Sequence, residues 1–298
     1  MPFILKKHEA ILGKKIQHFL LQDLKIEPKL AQKYISRARV FDQNQKPFIL
    51  NEKINTNCIY IAEFEGHTRG LNPLLEFKDF ALFDKPTKLM VHPISKNTKY
   101  SLLDEIRYHF GNNANLAHRI DAETSGLVIV CKNKQSEKRL KDMFIEKEYK
   151  KSYLAIVQGE LKKDITIENY LEKEGKNIGV RMKTSQEGKK SLTIVKPLNY
   201  NCKKNITLVE AIPHTGRQHQ IRVHLYSIGH RIIGDPIYGI DDDIAEAYLN
   251  KELDDEKRYE KTGSYRLWLH ANYLEFNYNN TTYKLFSKND EILKEFYM

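Results

Sequence analysis

Apolar residues recur at three- and four-residue spacing in some parts of the chain and alternate with polar residues in others. Ile16, Phe19, Leu20 and Leu24 show helical spacing, and a second helix is expected after Pro28, with Leu30, Tyr34 and Ile35 turned inward. A short strand follows at 58–64. Residues 67–74 are rich in turn formers and read as a linker. Beyond it, strands are expected at 80–83, 127–132, 153–158, 191–195, 207–212 and 268–276, many with the period-2 alternation of a sheet that exposes one face. Between Thr215 and Gly229, Ile221, Leu225 and Ile228 recur at i, i+4 and i+7. Thr215 and Gln218 fit a capping box, and Gly229 fits the position just past a helix end. The fold class is α+β. A mixed, mainly antiparallel sheet flanked by helices is expected over 75–298, preceded by a small α/β unit over 1–66.

The chain has 298 residues, 41% hydrophobic and 30% charged, which suits one large or two smaller globular cores rather than disorder. Lys and Arg number 49 against 39 Asp and Glu, a net charge of +10 that favours a polyanionic partner. The first 70 residues hold twelve basic residues against seven acidic ones, half of the whole excess. Residues 241–261 are the reverse, with nine acids against four basic residues. They read as an exposed, partly helical insertion lying away from an RNA-binding face. The three cysteines, Cys58, Cys131 and Cys202, are too scattered for a disulfide framework or a zinc ribbon. With no apolar stretch long enough for a bilayer and no signal-peptide pattern, they indicate a cytoplasmic setting without membrane attachment.

Three segments could carry chemistry. The first runs from His118-Arg119-Ile120-Asp121 to Thr124-Ser125-Gly126, a polar loop before a strongly apolar strand, where Asp121 is a candidate ionised nucleophile or simply a turn former. The second is Thr215 to Gly229. Arg217 at its start could meet a phosphate, and Arg222 lies on the expected helix. Its histidines, His214, His219 and His224, are spaced five apart, about 500° round a helix, so they do not converge as metal ligands. The third is Tyr149-Lys150-Lys151-Ser152-Tyr153, a basic approach to a strand on which Tyr153 is either a core residue or a positioned phenol. Neither a glycine-rich phosphate loop nor a Gly-x-Ser-x-Gly elbow is present, so no ATP, nicotinamide or flavin chemistry is indicated.

Taken in order, these strings resemble the RluA-type pseudouridine synthases. The series is Asp84-Lys85-Pro86, Met90-Val91-His92-Pro93, His118-Arg119-Ile120-Asp121, Lys151-Ser152-Tyr153-Leu154-Ala155, Thr215 through His224, Gly234-Asp235-Pro236 and Leu269-His270-Ala271. The helix–basic helix–strand order of 1–66 resembles a small S-four-like RNA-binding domain. The resemblance implies an RNA pseudouridine synthase that needs no cofactor or metal and acts as a monomer on a uridine in structured RNA, ribosomal RNA ahead of transfer RNA. It implies Asp121 as the catalytic carboxylate, Tyr153 as the active-site tyrosine and Arg222 as the basic partner of the Asp. Arg217 is the rival for that last role. Arg119 would fill the gap left by a flipped uridine, and His118, Arg217 and Lys150 would contact RNA. The alternatives are a catalytically silent RNA-binding or ribosome-associated protein, and an N-glycosidase that cleaves without rejoining.

Overall fold

The computed structural model describes residues 3–94, 98–175 and 178–298. The chain forms two compact units. One comprises the described residues up to Leu71 together with His92–Asn112, and the other comprises Asn72–Val91 with Asn113–Met298.

In the first unit, β1 (Phe3–Glu9), β2 (Val40–Phe41) and β3 (Cys58–Phe64) form an antiparallel sheet in the order β1-β3-β2. Helix α1 (Ile16–His18) runs on into a wider π-type turn, Phe19–Asp23, and α2 (Pro28–Ser36) starts on its proline, whose missing N–H costs nothing in a first turn. Ile16, Leu20, Ala31, Ile35, Val40, Ile59 and Ile61 close the core. The expected helices and the 58–64 strand are in place, but Leu30, expected to turn inward, is exposed, because the buried i, i+3, i+4 set of α2 is Ala31, Tyr34 and Ile35. Strand β1 left no signal in the sequence because no residue of it is fully buried, so its alternation is weak. Helix α3 (Leu102–Phe110) also belongs to this unit. Its buried Glu105 accepts the backbone N–H of Arg69 at 2.6 Å, and the Arg107 guanidinium lies 4.5 Å from the Phe64 ring. The division therefore falls at Leu71/Asn72, inside the segment expected as a linker, and residues 92–112 join the first unit.

Among the described residues, the second unit is built on one eleven-stranded sheet. Its strands are β4 (Leu75–Glu76), β5 (Phe80–Lys85), β6 (Asn115–Leu116), β7 (Ser125–Cys131), β8 (Tyr149–Gln158), β9 (Ile165–Lys173), β10 (Met182–Ser185), β11 (Lys189–Asn201), β12 (Ile206–Pro213), β13 (Leu269–Tyr278) and β14 (Thr281–Phe286). The order is β10-β9-β11-β12-β8-β13-β7-β5-β4, with β14 beside β13 and β6 beside β7. The β13–β7 pair is parallel, with His270 opposite Ser125 and Ala271 opposite Gly126, and the remaining ladders are antiparallel. The sheet is thus mixed and mainly antiparallel, as the α+β reading expected.

Two helices cover separate parts of this sheet. Helix α4 (Lys134–Glu146) is capped by Asn133, which accepts the Ser136 N–H, and sets Leu140 and Met143 against Leu82, Leu127, Ile129 and Phe276. Helix α5 (Gln220–Ser227) sets Ile221 and Leu225 against Tyr153, Val195, Val209 and Ala211. The acidic stretch forms α6 (Asp242–Asn250) and α7 (Asp255–Thr262), and α8 (Glu291–Tyr297) ends the chain. The stretch is not simply an exposed insertion, because Ile244, Ala245 and Arg258 are buried. No helix among the described residues is long and apolar enough to cross a membrane.

Helix α5 starts later than its apolar spacing predicts. His219 adopts a left-handed backbone (φ 53°), which ends the preceding loop and prevents a helix from beginning at Thr215. The expected Thr215–Gln218 capping box is replaced by a different bond, in which the Thr215 hydroxyl donates to Gln220 Oε1 at 2.6 Å. Gln220 also accepts the Arg217 N–H at 3.1 Å and donates to Leu192 O and Thr193 Oγ1, both at 2.9 Å. One buried amide therefore staples the loop to β11.

Candidate active site

Three segments of the second unit converge where the sheet turns parallel. The loop before β7 supplies Asp121, β8 supplies Lys151 and Tyr153, and α5 with its preceding loop supplies Arg217, His219 and Arg222. Together with Arg119 they line one open cleft, floored in part by Leu269. The junction itself depends on Gly126. Its φ is +107°, and a Cβ there would lie 2.3 Å from the Ala271 carbonyl oxygen. Beside it the Ser125 hydroxyl lies 2.9 Å from His270 Nδ1 and accepts from Arg266 Nη2 at 2.7 Å. The Thr-Ser-Gly and Leu-His-Ala strings thus meet across the parallel pair.

The Asp121 loop is held from beneath. The ammonium of Lys85, fully buried, donates to the carbonyls of Pro86 (2.9 Å), Leu89 (2.8 Å) and Ala122 (2.9 Å). Burial pushes its pKa down to about 7, but three carbonyl acceptors need all three ammonium hydrogens, so the bonding favours the charged form. The Thr87 hydroxyl donates to Glu123 O at 2.7 Å, and the Thr124 N–H closes a turn on Asp121 O at 3.2 Å. Asp121 is left partly open, its side chain 29% exposed.

Arg222 faces Asp121 but is anchored elsewhere. Its Nε and Nη2 form a fork onto Asp235 at 2.8 and 2.7 Å, while Nη1 stands 3.4 Å from Asp121 Oδ2. Asp235 Oδ1 also accepts the N–H groups of Ile237 (2.9 Å) and Tyr238 (3.1 Å). Burial by itself would raise the Asp235 carboxyl. The Arg222 guanidinium and those backbone donors outweigh it and hold the group below its ordinary value. The same pairing outweighs burial at Arg222 and raises its pKa, so a permanent cation stands beside Asp121.

His219 contributes a neutral ring. Burial, then the Arg222 charge, lowers it to about 4. The Met182 N–H donates to the Tyr238 oxygen at 2.9 Å, and that oxygen lies 3.0 Å from His219 Nδ1. The other ring nitrogen, Nε2, lies 3.9 Å from Asp121 Oδ2. The Tyr153 phenol is pushed up by burial and then by the Asp121 charge, so it is protonated at neutral pH.

The candidates named from the sequence separate into two groups. Asp121, Tyr153, Arg222, Arg119 and Arg217 share the cleft, with Arg119 and Arg217 exposed. His118 does not join them. Its Nε2 accepts the Ile129 N–H at 3.1 Å and its ring lies 4.5 Å from that of Phe144, so it braces the sheet. Burial, then the Lys151 charge, lowers it to about 3 and keeps it neutral for that bond. Lys150 also points away and pairs with Glu275 on β13 at 2.8 Å. Alternation along β8 sends Lys151 into the cleft beside Tyr153 instead, and applying that period would have chosen Lys151 from the sequence. Asp235 and His219 stand outside the roles expected from the sequence. The partner of Asp235 lies 13 residues away on a helix, a pairing no local pattern encodes. The histidines of the Thr215 segment diverge. His224 lies between Ser191 and Thr193 in the core, His219 lines the cleft and His214 is exposed.

A carboxylate, a caged guanidinium and a phenol brought together in one cleft of an α+β unit form a candidate active site. The family model for RNA pseudouridylate synthase matches residues 79–227. A Helicobacter pylori protein named as an uncharacterized RNA pseudouridine synthase is 38% identical over 290 residues, covering 96% of this chain and 94% of the relative. A Buchnera aphidicola protein named ribosomal large subunit pseudouridine synthase D is 30% identical over 287 residues, covering 93% of this chain and 87% of the relative. In fold, human RNA pseudouridylate synthase domain containing 1 superposes with a TM-score of 0.60 at 24% identity, covering 76% of this chain and 87% of that one. The chain belongs to the RNA pseudouridylate synthase family, in its RluA-type branch, and is an RNA pseudouridine synthase.

Proposed function

We propose that this synthase isomerises a uridine of ribosomal RNA in a cytoplasmic setting, with Asp121 as its catalytic carboxylate. The observation that carries this reading is the convergence of Asp121, Arg222 and Tyr153 in one cleft with a basic rim. The reaction breaks the bond between N1 and the ribose C1′, turns the base, and joins C5 to C1′. N1 gains a proton and C5 loses one, so substrate and product are isomers and no cofactor enters the balance. Positive character builds on C1′ as the first bond breaks, and an adjacent carboxylate stabilises it. Arg222, locked on Asp235, holds its positive charge 3.4 Å from that carboxylate. Tyr153 stacks on the base and exchanges a proton in the reprotonation steps. A stacked base cannot turn in place, so the uridine is flipped out, at a cost of a few kcal/mol offset by phosphate contacts. Arg119 at the cleft mouth fills the vacated stack, and Lys151 and Arg217 meet phosphates.

Ribosomal RNA is favoured over transfer RNA by the name of the Buchnera relative and by the S-four-like order of the first unit, which we assign to RNA binding. The test maps pseudouridine by carbodiimide stops in RNA from cells lacking the gene, complemented with wild type or Asp121→Ala. Stops in ribosomal RNA that return only with wild type are expected. A map that does not differ between deletion and wild type overturns the substrate assignment, and full rescue by Asp121→Ala overturns the role of Asp121.

A further inference from the structure

Glu123 and Arg258 form a buried ion pair that the chemistry at Asp121 does not use. Glu123 lies two residues beyond Asp121 in the same loop, and Arg258 comes from α7 of the acidic insertion. Arg258 Nη2 donates to Glu123 Oε2 at 2.6 Å and to the Gly234 carbonyl at 3.1 Å. The Tyr248 hydroxyl, from α6, donates to Glu123 Oε1 at 2.8 Å. Glu123 is 6% exposed and Arg258 3%. Removing two charges from water costs several kcal/mol per ion, so such a pair is weak evidence for stability. What it connects is more informative. Gly234 immediately precedes Asp235, the residue that anchors Arg222. One guanidinium therefore ties the loop of Asp121 to the turn that holds Arg222.

The contact across the cleft needs such a tie. At 3.4 Å, Arg222 Nη1 is farther from Asp121 Oδ2 than the roughly 2.7–2.9 Å of a charge-assisted hydrogen bond. The two groups do not set their own separation, so it is imposed by the backbone behind them. We infer that Arg258, Glu123 and Tyr248 are positioning residues, through which the 241–261 insertion fixes the spacing of Asp121 and Arg222. This rests on the reading of Asp121 as the catalytic carboxylate. Lys85 and Thr87 hold the same loop through Ala122 O and Glu123 O, so the insertion completes a cradle closed on both sides. None of the three positioning residues lines the cleft.

The experiment uses the full-length protein and RNA carrying 5-tritiated uridine, prepared from cells lacking the gene. Tritium leaves C5 as that carbon joins the ribose. Single-turnover rates at saturating RNA are compared with RNA dissociation constants and melting curves for Arg258→Met, Arg258→Lys and Tyr248→Phe. Arg258→Met is expected to lower the rate per folded molecule by about 10- to 100-fold, the order expected for a misplacement of an ångström or less, with RNA affinity unchanged. Arg258→Lys, which keeps a cation and donors, is expected to recover most of that loss. Tyr248→Phe is expected to slow release by about threefold, less than the full worth of a hydrogen bond to a charged acceptor because Arg258 still holds Glu123. A rate within a factor of about two of wild type in Arg258→Met overturns the inference. Where that variant does not fold, an unchanged rate in Tyr248→Phe does the same. Weakened RNA binding with an unchanged rate also overturns it, because it would make the pair an RNA contact. Wild-type rates matched by Asp121→Ala would instead remove the underlying reading.

Discussion

Lys151 shows how one residue acquires a property its neighbour lacks. Burial lowers its amine from the ordinary 10.5 to about 8, and the rings of Tyr149 and Tyr153 lie 5.2 and 6.0 Å from its nitrogen. Below about pH 8 it is charged and can meet a phosphate. As pH rises through that value the proton leaves and the attraction goes with it. RNA affinity of the wild type is therefore expected to fall about tenfold between about pH 7 and 9, the order of one charged hydrogen bond. Lys151→Met should bind weakly at both ends of that range, and filter binding against pH checks it. A wild-type slope retained in the Met variant would assign the titration elsewhere. Lys150→Ala should change little, because its pair with Glu275 is at the surface, where water screens it. Both lysines were visible in the sequence. Which one faces the site follows from counting along β8 from Tyr153.

At the scale of elements, the parallel junction of β7 with β13 is the critical contact. It brings together residues 145 positions apart, Ser125 and His270, and lets the Asp121 loop emerge over the β8 strand that carries Tyr153. Gly126→Ala places a methyl against the Ala271 backbone in a left-handed conformation. The expected cost is at least about 3 kcal/mol, from strain and separation of the strands together. Denaturant unfolding measures it, and a loss below about 1 kcal/mol would show that the junction yields easily. The elements themselves were largely legible. Strands at 127–132, 207–212 and 268–276 were found within a few residues because their burial alternates or is complete. Apolar spacing starts helix α5 too early because it does not register the left-handed turn at His219. Helix α3 gave no signal of the unit it joins, since Glu105 finds its partners 34 and 36 residues earlier.

At the scale of the molecule, the charge of +10 is the electrostatic footprint of the RNA partner. Raising salt from about 50 to 200 mM should weaken RNA binding about 100-fold if about five phosphates are contacted, since each adds roughly 0.7 to the slope for single strands. The single-turnover rate at saturating RNA should hold, because the Arg222–Asp235 pair is buried beyond the reach of salt. Filter binding and tritium release over the same salt series check both. Composition, order of motifs and local period by themselves determined the α+β class and the family, and the family resemblance named Asp121, Tyr153 and Arg222 as candidates. Those features are written in contiguous strings, and the chemistry they carry is a property of residue type. Only the tertiary structure decided that His118 braces the sheet. It alone disclosed that Asp235 cages Arg222 and that the acidic insertion reaches Glu123. The physical reason is that buried charges take their partners from wherever the chain is brought close, and Arg258 meets Glu123 across 135 residues.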